Sequence, residues 1–334
     1  MASLSRSIIC RMIPALVLLA LLAFTQTGLS SQEAAKYTAE EYKAYQDVAN
    51  EPDAAKKVDM AVKFMQTYPQ SALRPHVTAA YQAVMKELQS AEKWTQLILF
   101  GERFAAVAPN DLYTASMLAT GYQKTKQYAK FVAYGEKVYE KEPNGNLAYY
   151  LAKAYQDLNN DAKFLQWGER AVGFMPDSHE LLLELTRRFA AAKQDAPASK
   201  YARQCIKAAQ SAAKPEATAD KVWKDYISTL YATCYAVIGN VAYEQRDYKN
   251  AILNLENSLR YYRRNELACY YLGLSYWQTN RIDVAMLNLA KAYLLKGNSS
   301  RAAKQHLDNL YKSTHQQSLV GIERILERAA QDLK

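Results

Sequence analysis

Two segments place a serine three residues before a lysine, Ser90-Ala-Glu-Lys93 and Ser211-Ala-Ala-Lys214. At that spacing an amine can activate a hydroxyl as a nucleophile. Neither comes with the Ser-Asp-Asn or Lys-Thr-Gly elements that complete such a site, so chance accounts for both. His76, His179, His306 and His315 have no metal-ligand spacing and read as surface or helix-end residues. No Gly-rich phosphate loop, His-Glu-x-x-His, Cys-x-x-Cys or Gly-x-Ser-x-Gly occurs. Carboxylates are numerous, but nothing in the linear order pairs two of them as general acid and base. The expectation is a protein with no catalytic residues, no metal and no cofactor.

The elements that would position any site must therefore be read first. Of 334 residues, 22% are charged and 50% hydrophobic, the balance of a globular chain with a large core. Gly 11 and Pro 9 together fall well below the roughly 12% of average usage, which favours long helices joined by short turns. Tyr 26 is the unusual count, and the net charge of +9 suggests acidic partners without specifying one.

Arg6 and Arg11 precede an apolar stretch, Met12 to Phe24, and then the small-x-small triplet Gly28-Leu29-Ser30. That order predicts a secretory signal peptide over 1–30, cleaved after Ser30. The apolar run is shorter than the roughly 17–25 residues of a membrane-spanning helix. The expectation is a chain secreted across the inner membrane, periplasmic or cell-surface associated, without a stable membrane span after cleavage. Export also sets a nucleic-acid role aside. Cys205, Cys234 and Cys269 remain, an odd number, and read as small buried hydrophobes. Cys234 and Cys269 fall one residue out of register in neighbouring repeats, which leaves their pairing open.

Self-similarity organises the rest. Phe100-Gly101-Glu102-Arg103, Tyr134-Gly135-Glu136-Lys137 and Trp167-Gly168-Glu169-Arg170 are each followed by a proline, Pro109, Pro143 and Pro176. Leu118-Ala119-x-x-Tyr122 and Leu151-Ala152-x-x-Tyr155 lie upstream of the second and third, at equal offsets. Ile238-Gly239 and Leu272-Gly273 recur at the same period, followed by Ala251 and Ala285. A period of this length signals a repeat architecture.

At these residues the chain resembles the tetratricopeptide repeat family, whose unit reads Trp-x2-Leu-Gly-x2-Tyr, then Ala-x3-Phe, then Pro. The unit 266–299 matches best, with Cys269-x2-Leu272-Gly273-x2-Tyr276 and Ala285-x3-Leu289. The units ending in Pro109, Pro143 and Pro176 differ consistently. Leu97, Phe131 and Phe164 stand in the alanine column and Gly101, Gly135 and Gly168 in the phenylalanine column. Large and small have traded places, a roughly volume-conserving exchange across a helix contact. The resemblance implies an all-α, right-handed superhelical solenoid of antiparallel helix pairs with a C-terminal capping helix. Its organisation would be N-terminal helices with a degenerate repeat over 31–77, repeats over 78–212, a linker and helix extension over 213–231, two repeats over 232–299 and capping helices over 300–334. Ser211 to Asp220 is a loop by composition and the expected break in the stack.

The resemblance also implies that the first helix of each unit lines a concave groove through its positions 2, 5, 9, 12 and 13. Position 9 reads Lys86, Thr120, Lys153, Arg187, Asn240 and Leu274, and neighbouring groove positions supply Tyr113, Tyr149, Tyr243, Tyr270 and Trp277. Cations and tyrosines would suit an extended acidic peptide, by steering and by flat-ring contact. Solvated lysines and tyrosines packed between helices are the bland reading of the same residues. The carboxylate clamp of chaperone-binding relatives is not expected, because Ala236 stands where its lysine would be. The function expected is an exported, non-catalytic protein-binding scaffold in envelope assembly or secretion. A module for anionic glycan is the alternative, and a third is a hydrolase hidden in 179–231, which needs a cleft of converging titratable groups.

Overall fold

A computed structural model describes residues 37–334, so the expected signal peptide lies outside the described residues. The described chain is helical throughout and folds as consecutive pairs. These are α1 (Ala39–Asn50) with α2 (Ala54–Thr67), α3 (Arg74–Ser90) with α4 (Trp94–Ala105), α5 (Leu112–Lys124) with α6 (Tyr128–Lys141), and α7 (Gly145–Asp157) with α8 (Asp161–Phe174). They continue as α9 (His179–Ala191) with α10 (Asp195–Ser211), α11 (Asp220–Glu244) with α12 (Tyr248–Tyr261), and α13 (Glu266–Gln278) with α14 (Ile282–Leu294), and end in α15 (Ser300–Thr314) and α16 (Ile322–Asp332). Each helix up to α14 packs on the next, and first helices also touch first helices across α1/α3, α3/α5, α9/α11 and α11/α13.

Local signals set these bounds. Asp111, Asn144, Asn160, Asp247 and Asn265 cap helix starts by accepting a backbone N–H with the side chain. Between the two helices of a unit the chain reverses through one left-handed residue at a fixed station: Glu92, Lys126, Asn159, Lys193, Arg246 and Asn280. The next N–H always closes the turn on a carbonyl five residues back, as Gln127 to Tyr122, Asn160 to Tyr155 and Arg281 to Tyr276. This is the Schellman closure of a helix C-terminus, and none of its left-handed positions is a glycine.

The exchange of large and small residues is a change of packing partner. A Cβ on Gly101 would meet Leu118 at 2.7 Å, and one on Gly168 would meet Leu185 at 2.8 Å, so these glycines admit a leucine from the next unit's first helix. A Cβ on Gly239 or Gly273 would instead meet Leu255 or Leu289 of the same unit's second helix, at 2.6 and 2.8 Å. Helices can approach closely only where one side is small.

A polar ladder joins the units beside this core. Tyr155 donates its hydroxyl to Glu136 Oε1 at 2.7 Å and Tyr276 to Glu256 Oε1 at 2.5 Å, while Tyr122 bonds Glu102 in the same way. In each case a tyrosine of one unit holds a carboxylate of the unit before it. In the pair α9/α10 Phe189 fills the tyrosine column, stacked on Tyr201 at 5.5 Å, and Tyr201 reaches Glu169 Oε1 at 2.8 Å instead. Burial first, and then the neighbouring carboxylate, push the Tyr122, Tyr155 and Tyr201 phenols well above their ordinary range. Much of the tyrosine content is thus inter-repeat fastening.

The segment expected to break the stack does not interrupt it. The loop 212–219 is followed by a helix of 25 residues, α11, whose added N-terminal turns lie on α9 and α10. Leu230, Cys234, Val237, Ile238 and Val241 complete the core of the preceding units, while Ala236 and Ala242 belong to the core of the following ones. One continuous helix with two apolar faces carries the packing across the loop. Cys234 and Cys205 lie together in that first core, where the Cys205 thiol donates to the His179 carbonyl at 3.3 Å, whereas Cys269 packs with Ala292 and Ala303, so Cys234 neighbours Cys205 rather than Cys269. At the C-terminal end α15 and α16 both cover α14, burying Leu307, Leu310, Tyr311 and Ala329. No helix among the described residues is long and apolar enough to cross a membrane.

Candidate functional site

The candidate groove residues stand on the first helices, and the seams between those helices bring some of them together. Tyr113 donates its hydroxyl to the Gln82 carbonyl at 3.2 Å, fastening α5 to α3. Tyr149 is half-buried, meets the Tyr150 ring edge-on at 5.7 Å and has Glu180 of α9 nearby. Its phenol is raised by burial first and by Glu180 next. Both tyrosines therefore combine packing with partial exposure.

The cations differ by helix. Three on second helices are engaged: Arg103 with Asp59 at 2.7 Å, Lys130 with Glu102 at 2.8 Å and Lys163 with Glu136 at 3.2 Å. Lys86, Lys153 and Arg187 are exposed, and among the described residues none has an ion-pair partner. Lys153 donates only to Gln156 Oε1, at 3.1 Å. Arg188 beside Arg187 behaves oppositely, bonding Glu184 at 2.8 Å and pairing with Asp161 while covering the Phe164 ring. Lys153 also lines a cavity of about 360 Å³ with Lys124, Lys126, Tyr128, Tyr150 and Asp157. Lys124 and Lys126 have no ion-pair partner either, so three ammonium groups face one carboxylate there.

The remaining candidates gather at the other end of the stack. Asn240, Tyr243 and Glu244 occupy one face of α11 at i, i+3 and i+4. Tyr243 meets the Tyr271 ring at 5.3 Å, Tyr271 meets Tyr270 at 5.2 Å, and His306 of α15 lies 6.0 Å from Tyr270 and 5.8 Å from Trp277. Burial, and then Glu244, push the Tyr271 phenol up to about 12. Asn240 is half-buried, and its Oδ1 is the one buried side-chain oxygen or nitrogen among the described residues without a hydrogen-bond partner.

The candidate cations thus lie on α3, α7 and α9 with Tyr113 and Tyr149 among them, while Tyr243, Tyr270 and Trp277 gather on α11 and α13, apart from those cations. Glu244 and Lys124 stand at position 13 of their units, so the family's groove positions already pointed to them. Tyr271, Tyr150 and Lys126 lie off those positions, and His306 sits beyond the last counted repeat. Only the meeting of successive helices reveals these four.

The serine-lysine pairs make no site. Ser90 ends α3 and Lys93 precedes α4, while Lys214 is ion-paired with Asp220 at 2.7 Å and Ser211 donates to the Ala208 carbonyl. In the segment 179–231, His179 Nδ1 meets the Tyr226 hydroxyl at 2.9 Å with Trp223 alongside. Among the described residues no three His, Cys, Asp or Glu side chains are grouped to hold a metal.

No family model and no curated protein matches the chain. Among solved structures, the MamA protein is similar with 16% identity and a TM-score of 0.40, over 63% of this chain and 97% of that one. YrrB, described as a TPR protein with an unusual peptide-binding site, shows 14% identity and a TM-score of 0.39, over 62% and 95%. MamA from Desulfovibrio magneticus RS-1 shows 14% identity and a TM-score of 0.41, over 56% and 93%. These superpositions are partial, and the fold stands on the chain's own features. The periodic small residues, the shared left-handed turn and the pairwise packing make this chain a tetratricopeptide-like solenoid of helix pairs.

Proposed function

We propose that the protein is an exported, non-catalytic scaffold of the cell envelope that holds an extended segment of a protein partner along its first-helix face. The observation that carries this reading is a run of exposed cations along the first-helix side. Lys86, Lys124, Lys126, Lys153 and Arg187, on the first helices and the turn that follows α5, are exposed and have no ion-pair partner among the described residues. Unpaired cations in a row steer an acidic segment and lose little desolvation energy when it docks. The half-buried tyrosines beside them offer rigid contact area at low entropic cost.

The test is capture of envelope proteins by the purified protein and by a Lys86→Ala/Lys153→Ala/Arg187→Ala variant. Exposed positions should leave the fold unchanged by circular dichroism. A protein held by the parent and lost by the folded variant supports the groove reading. Equal retention by both removes these cations from the interface. An anionic polysaccharide uses the same cations, so binding of polysaccharide alone, falling steeply with salt, would transfer the function to glycan.

A further inference from the structure

Elsewhere on the molecule, cations of the same chain lie over rings of the repeat core. Lys130 lies over Tyr122, Lys137 over Tyr134, Lys163 over Tyr155, Arg170 over Trp167 and Arg281 over Tyr276. The row Tyr243, Tyr271, Tyr270, His306 and Trp277 has none among the described residues, and all five rings are half-buried. Glu244, beside three of these rings, is exposed and has no ion-pair partner among the described residues. One turn away on the same helix face Asn240 holds an acceptor without a donor.

Three features, the half-buried rings with no cation over them, the carboxylate without an ion pair and the unused acceptor, ask for the same chemistry. We propose that this C-terminal cluster is a subsite for a cationic side chain, an arginine or lysine of the bound segment. The cation would lie on the tyrosine and tryptophan faces with its charge met by Glu244. The inference deepens the proposed function and gives the groove a polarity. An acidic stretch of the partner lies against Lys124, Lys126 and Lys153, and a basic residue further along lies between α11, α13 and α15.

Two probes with the same N-terminal fluorophore separate the halves, (Ala-Ala-Arg)4-amide and (Ala-Ala-Glu)4-amide, titrated against the purified protein by anisotropy at low salt. The arginine probe should bind, and Glu244→Gln or Trp277→Leu should weaken it about tenfold while the glutamate probe is unaffected. Trp277→Phe, which keeps a ring, should recover most of that loss. Lys124→Ala/Lys153→Ala should show the opposite pattern. The subsite is overturned if the arginine probe fails to bind, or if Glu244→Gln and Trp277→Leu, both folded by circular dichroism, leave its affinity unchanged. Loss of glutamate-probe binding alone would overturn the acidic-segment reading and leave this one standing.

Discussion

Replacing Tyr155 with Phe removes a single hydroxyl from the ladder between units and nothing else. That hydroxyl donates to Glu136 Oε1 at 2.7 Å, and the same oxygen accepts Trp167 Nε1 at 3.0 Å and Lys163 Nζ at 3.2 Å. A hydrogen bond to a charged group contributes about 1.5–3 kcal/mol net. Glu136 keeps two donors and is 30% exposed, so water can take the vacated place and the lower end applies. The expected cost is therefore about 1–2 kcal/mol, read as a lowered urea midpoint with an unchanged slope. Burial would raise the Glu136 carboxyl, but the hydrogen bonds from Tyr155, Lys163 and Trp167 outweigh it and hold it below its ordinary value. A carboxyl lowered in the folded state stabilises above its unfolded value of 4.5, and the gain disappears as pH falls through the folded value. The Tyr155→Phe deficit should accordingly be full at pH 7 and shrink below pH 4.5. A midpoint unchanged at pH 7, or a deficit that persists at low pH, would show that the ladder does not fasten the units.

Two glycines of α8 should respond oppositely to alanine. Gly168→Ala drives a Cβ to 2.8 Å from the fully buried Leu185 and should cost about 1–3 kcal/mol. Gly173 has nothing within 4 Å, so Gly173→Ala should gain about 0.5–1 kcal/mol, and thermal melts of the two variants should move in opposite directions. Burial pushes the Cys269 thiol up to about 12, and the neighbouring Cys205 thiol followed by burial raises Cys234 as well. Cys234 and Cys269 should react with Ellman's reagent only in denaturant, and labelling of either in the native protein at the unfolded rate would contradict their burial.

The repeat, its period and its helical character are legible in the linear chain because they rest on local rules. Apolar residues at helical spacing, short polar caps and a recurring small residue all act within one unit or its neighbour. The exchange of large and small residues was equally visible, since Gly168 and Phe164 lie within one helix. The identity of their partners was not. Whether a glycine admits a leucine from its own unit, as Gly273 does, or from the next, as Gly168 does, depends on how two helices cross.

The reversals through Lys126 or Asn159 carried no glycine to mark them, because the Schellman closure rather than the residue type holds the left-handed backbone. Composition suggested a break at 211–220, yet a loop breaks a stack only if no element spans it, and the two-faced helix α11 does. Position 9 gave the cations in order but not their freedom. Pairing is a distance between helices far apart in sequence, and only the folded chain shows Lys163 satisfied and Lys153 without a charge partner. The sequence by itself determined which side chains each unit presents. The tertiary structure decided which of them meet, because the cluster of Tyr243, Tyr271, Tyr270, His306 and Trp277 exists only where three successive first helices lie side by side.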